Sequence, residues 1–88
     1  MINLVIVSSQ QDANKCVIGD TEANHMYPIA KALYDMVSPD KRFNTYLVPR
    51  LTGTDTEDLR ESTRLSNVFI KANGRTGYHL ELHSDAGA

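Results

Sequence analysis

The sequence predicts an α/β domain of the three-layer, doubly wound type, β-α-β-α-β around a mostly parallel sheet. Three observations carry that expectation. The run "INLVIV" at residues 2–7 is short, continuously apolar and rich in β-branched side chains, as suits a strand buried on both faces. Two later stretches repeat apolar residues at three- and four-residue spacing, the period of an amphipathic helix. Each is followed, after a breaker, by another short strand-like run, and strands that alternate with helices of this length imply right-handed crossovers.

Taken in order, strand one leads into "SSQQDANKCVIGD", too polar and too rich in Asn, Asp and Ser for a core, which reads as a long loop. Asp20 or Thr21 can cap a first helix over roughly 21–37, with Met26, Ile29, Ala30, Leu33 and Val37 as its apolar stripe and "SPDKR" as its stop. "FNTYLVP" lies between two breakers and has the aromatic and β-branched content of a second strand, closed by Pro49. Thr54 and Asp55 then supply caps, with Asp58 three residues after Asp55, for a second helix over roughly 55–72. Its apolar positions are Leu59, Leu65, Val68, Phe69 and Ala72. Asn73-Gly74 is a C-cap signal, "NGRTG" a turn and "YHLELH" the third strand. Three strands and two helices leave at least one sheet edge open, so the expected fold is an incomplete version of a larger one.

Eighty-eight residues support one domain with one modest core. Lys and Arg are scattered and the net charge is −2, which lacks the electrostatic footprint of a nucleic-acid binder. The lone Cys16 has no partner for an internal disulfide or a zinc-ribbon spacing. Met1-Ile2-Asn3 runs straight into "LVIV" without a basic leader, and that apolar run is too short for a signal peptide or a membrane span. The expected location is the cytoplasm as synthesised.

In open parallel sheets, ligands bind at the carboxyl ends of the strands. That rule selects "SSQQDANK", "RLTGT" and "HSDAGA", and it brings Glu22, at the start of the first helix, toward His83 at the end of the third strand. His79 and His83 share a strand face but lie roughly 13 Å apart along it, too far for one metal. His83 is the better placed of the two. Glu81, about 6.6 Å from His83 on that face, is a candidate partner for its ring or a buried polar group. Glu22 and His25 form an E-x-x-H pair, which on a helix projects both side chains from one face, as in carboxylate-bridged metal sites. The plainer alternatives are a glutamate favourable to the helix dipole with a solvated histidine one turn on, and a strand-end histidine bonded locally.

Other chemistries fit less well. Ser84-Asp85 beside His83 has no nucleophile elbow, and adjacent strand residues point to opposite faces. Gly74-Arg75-Thr76-Gly77 precedes a strand where a phosphate loop would open a helix. Cys16 has no base near it in sequence.

Strand one, "TEANHM", "LVPR", "LSN" and above all "HLELHSDAG" resemble the zinc-dependent N-acetylmuramoyl-L-alanine amidases of the type-3 family, peptidoglycan hydrolases of cell-wall remodelling, sporulation and phage lysis. The resemblance extends over essentially all 88 residues and matches about the N-terminal half of such a domain. It implies zinc as cofactor, peptidoglycan as partner, His83 and Glu22 as metal ligands, and cleavage of the amide between N-acetylmuramic acid and L-alanine. An endolysin of this kind needs no leader of its own, since it reaches the wall once the membrane is opened.

Two departures qualify the match. Where the family has Gly-His-Gly-Gly after strand one, this chain has Ser8-Ser9-Gln10-Gln11, so the first histidine ligand is missing. Gln10 stands nearest to it, and Asn14, Cys16 or His25 are the other possible replacements; a neutral amide is a poor substitute for imidazole on zinc. The family's late general-base glutamate has no counterpart up to Ala88, so the expectation is a truncated portion inactive by itself. The alternative reading is a non-catalytic α/β module that binds cell wall or protein through its open sheet edge, as a homo-oligomer that completes the sheet. A flavodoxin-like ligand-binding domain is a third, without the phosphate loop it would need.

Overall fold

The computed structural model describes residues 1–9 and 22–83. Five elements follow in the expected order: β1 (Ile2–Ser8), α1 (Glu22–Val37), β2 (Phe43–Leu47), α2 (Asp55–Ala72) and β3 (Tyr78–Leu82). All three strands are parallel, in the order β2-β1-β3. Right-handed connections that leave the central strand toward its two neighbours put the two helices on opposite faces, which makes the three layers.

The apolar run of β1 is explained by its central place. Val5 and Ile6 are fully buried, one toward each face, because side chains alternate along a strand. On the α2 face Val5, Val7 and Val48 form a core onto which Tyr46, Leu65, Phe69 and Ile70 pack. The Tyr46 and Phe69 rings stack there at 5.2 Å between centroids and 17° between planes. β2 ends at Leu47; Val48 still donates its N–H to Ile6 O at 3.0 Å, and Pro49 has no N–H to continue the ladder.

Each helix buries part of its expected stripe and turns part of it out. On α1, Ala23, Met26 and Ala30 are buried, while Ile29, placed in the stripe by its spacing, is 46% exposed. Leu33 and Val37, further along the same stripe, are half-buried. On α2 the buried positions are Asp58, Ser62 and Ser66, four residues apart, with Leu65 and Phe69 half-buried against the core, and Leu59 and Val68 are 62% and 53% exposed. The buried hydroxyls are satisfied within the helix, Ser62 Oγ donating to Leu59 O at 3.0 Å and Ser66 Oγ to Ser62 O at 2.8 Å.

The ends of α2 were marked in the sequence, with one change. Thr54 is the N-cap, and the capping box runs to Glu57: Glu57 N donates to Thr54 Oγ1 at 3.2 Å, and Thr54 N to Glu57 Oε1 at 3.4 Å. Asp55 is the first helical residue, and Asp58 accepts instead from Gly53 N at 3.0 Å. At the other end Asn73 is the C-cap, and Gly74 and Arg75 take positive φ of 98° and 67° before the chain enters β3.

Asn3 pins that turn to the central strand. Its side-chain amide donates to Asn73 O and to Thr76 O, the latter at 2.9 Å, and its oxygen accepts from Asn44 Nδ2 at 3.2 Å. Gly77 passes so close that a Cβ there would lie 2.8 Å from Asn3 O and 2.5 Å from Ile70 Cδ1. A side chain at position 77 would therefore separate β3 from β1.

Candidate functional site

A cleft of about 260 Å³ opens at the carboxyl ends of β1 and β3, where the crevice rule places a site. Its floor is the end of β1, Val7 to Ser9; its walls are Glu81 and His83 on one side and Asp55, Thr56, Leu59 and Ser62 of α2 on the other. Parallel pairing sets this arrangement. Val7 lies in register with Glu81 and Ser8 with Leu82, so Glu81 and His83 alternate onto the α2 face. The N-terminus of α2 reaches the same edge because the crossover must return along the sheet.

Within the cleft, the Glu81 carboxylate joins two histidines. One oxygen lies 3.0 Å from His83 Nε2 and the other 3.3 Å from His79 Nε2, with all three side chains about half exposed. The expected role of Glu81 as a partner for the His83 ring is thus what the geometry shows. His79 is brought to the same carboxylate by side-chain reach, even though its backbone is four residues away. Ser8 Oγ is buried and has no hydrogen-bond partner among the described residues. The cleft-lining residues named above include two carboxylates and no Lys or Arg, so the site favours a cation or a neutral hydrogen-bonding group over an anion.

The other expected site residues are distributed as follows. Glu22 opens α1, at the carboxyl edge of the sheet as the topology requires. His25 is half-buried one turn later and does not line the cleft. Gln10, Asn14, Cys16, Ser84 and Asp85 lie outside the described residues. Among the described residues, no three His, Cys, Asp or Glu side chains come together as a metal-holding group. The segment after β2 serves a structural purpose: Arg50 reaches back to Asn24 Oδ1 on α1 at 2.8 Å.

The residues missed by sequence reasoning are those of α2. Asp55 was legible as a helix-start residue and Thr56 carried no signal of its own, but the rule that places strand ends at the crevice also places this helix start there. Leu59 was assigned to the core by its spacing and instead forms an apolar wall of the cleft. No family model, curated protein or solved structure matches the chain. Among the described residues no helix is long and apolar enough to cross a membrane.

Proposed function

We propose that this chain carries the metal-binding part of a peptidoglycan hydrolase of the N-acetylmuramoyl-L-alanine amidase class, with Glu22 and His83 as zinc ligands. The observation that supports it most is the position of His83, at the end of β3 on the wall of the carboxyl-end cleft, with Glu81 against its ring. A carboxylate bonded to one ring nitrogen fixes the tautomer and orientation of a metal-ligating histidine. Imidazole and carboxylate are donors that zinc accepts, and a catalytic zinc takes three protein ligands, of which Glu22 and His83 would be two. Gln10 and His25 are the candidates for the third.

Zinc bound there would polarise the scissile carbonyl and lower the pKa of a bound water. The protein's own contribution is separate from that. Glu81 orients His83, while Leu59 and Val7 give the cleft an apolar side, and the hydroxyl of Thr56 offers a hydrogen bond to a sugar or peptide amide.

Zinc titration by calorimetry, with native mass spectrometry for stoichiometry, tests the reading. The expected result is one zinc per chain in the wild type, lost in Glu22→Ala and in His83→Ala. Glu81→Gln should keep the stoichiometry and weaken affinity by roughly 10- to 100-fold. A wild-type chain that takes up no zinc would sink the proposal.

A further inference from the structure

β3 is an edge strand among the described residues, paired with β1 along one side, and the main helix contacts with the sheet fall on β1 and β2. Tyr78 and Leu80 are 69% and 40% exposed. Three of the usual protections of an edge are missing from β3: residues 78–82 contain no Lys and no Pro, and the unbroken register with β1 leaves no bulge. We propose that β3 pairs antiparallel with β3 of a second copy, about a two-fold axis at Leu80, to give one six-stranded sheet.

The register follows from which groups point outward. Leu82 O accepts from Ser9 N at 2.8 Å, so Leu82 faces β1. By alternation Leu80 and Tyr78 do too, and His79 and Glu81 direct their N–H and C=O groups to the open side. In an antiparallel pair, residues that exchange both bonds must be outward-facing on both strands. Three centres satisfy this. A centre at Glu81 sets two carboxylates opposite each other, and a centre at His79 stacks the two histidines. A centre at Leu80 pairs His79 with the partner's Glu81 twice, with opposite charges when the histidine is protonated, and puts the Leu80 side chains together on the other face. It also sets Tyr78 against the partner's Leu82, so that face becomes a continuous apolar row. Charge and hydrophobicity thus select a self-complementary register, as an isologous interface requires. An antiparallel partner on an otherwise parallel sheet is a common arrangement. This inference does not depend on zinc.

A five-residue ladder covers less than the roughly 800 Å² per partner of a standard interface, so the expected complex is reversible and well populated only near about 100 µM. Sedimentation equilibrium of the full chain should show a monomer–dimer equilibrium. His79→Glu, which opposes two carboxylates in each pair, should weaken it roughly tenfold, and the double variant His79→Glu/Glu81→Lys should restore it. Leu80→Cys in a Cys16→Ser background should form an intermolecular disulfide, since facing Cα atoms about 4.5 Å apart suit one, and Asn67→Cys on the exposed side of α2 should not. His79, Leu80, Glu81 and Asn67 are all exposed, so circular dichroism should report unchanged folding. A wild-type chain monomeric at about 100 µM overturns the dimer and leaves the edge to a different partner. A double variant as weak as the single one, or cross-linking no faster at position 80 than at 67, overturns the register.

Discussion

Asn3 shows how much one polar side chain in an apolar strand can hold. It is 8% exposed, and its amide joins β1, the turn after α2 and Asn44 of β2. Replacing it by leucine keeps the size and leaves the carbonyls of Asn73 and Thr76 without that donor, which should destabilise the fold by about 2 kcal/mol. Chemical denaturation would register the loss; a change below about 0.5 kcal/mol would show that water replaces the amide. Asp40 makes a different kind of prediction. It accepts from Arg42 through side chain and backbone, and these bonds hold its pKa at about 2, below the ordinary 3.8. A carboxylate depressed in the folded state adds stability above its unfolded pKa, and the contribution disappears as pH falls through the folded value. Asp40→Asn should therefore flatten the stability profile between about pH 4 and pH 2 and leave its shape at neutral pH unchanged. An identical acid limb in the variant would show that the pair contributes nothing.

At the scale of elements, α2 separates what spacing encodes from what it does not. Its limits were readable in the sequence, because Thr54 and Asn73-Gly74 are local signals that work through the backbone of the same few residues. Its buried face was readable only in part. Apolar spacing pointed to Leu59, Leu65, Val68, Phe69 and Ala72; Leu65 and Phe69 do pack on the core, but Leu59 and Val68 stay exposed and the closest contact is made by Ser62 and Ser66, whose hydroxyls are absorbed by the helix's own carbonyls. Spacing measures periodicity, and periodicity alone cannot say which of two adjacent stripes meets the sheet. The two accounts predict opposite sensitivities. Ser66→Leu should overpack the α2–β1 contact and lower stability by roughly 1–3 kcal/mol, while Val68→Lys should stay within about 0.5 kcal/mol of wild type. Thermal melts in which Val68→Lys is the more damaging would return Val68 to the core.

For the whole molecule, the parallel order β2-β1-β3 concentrates burial on one strand and leaves protection uneven across the sheet. The element order predicted a mostly parallel sheet with right-handed crossovers, without saying which strand is central, and the crevice rule pointed to Glu22 and His83 at the carboxyl edge. The sequence could not show that His79 would reach the Glu81 carboxylate, because side-chain reach across a strand is set by rotamers and neighbours, not by spacing. Hydrogen exchange gives the molecular-scale test. Amides of β1 should exchange most slowly, as both neighbours bond to them. In β3 the pattern should alternate: Leu80 and Leu82, turned toward β1, are protected, and His79 and Glu81, turned outward, exchange fast in dilute solution. Raising the protein concentration toward about 100 µM should slow His79 and Glu81 selectively, because the proposed pairing converts their open N–H groups into ladder bonds. If those two amides keep the same rate across that range while Leu80 and Leu82 stay protected, the edge is solvated and the sheet ends at β3.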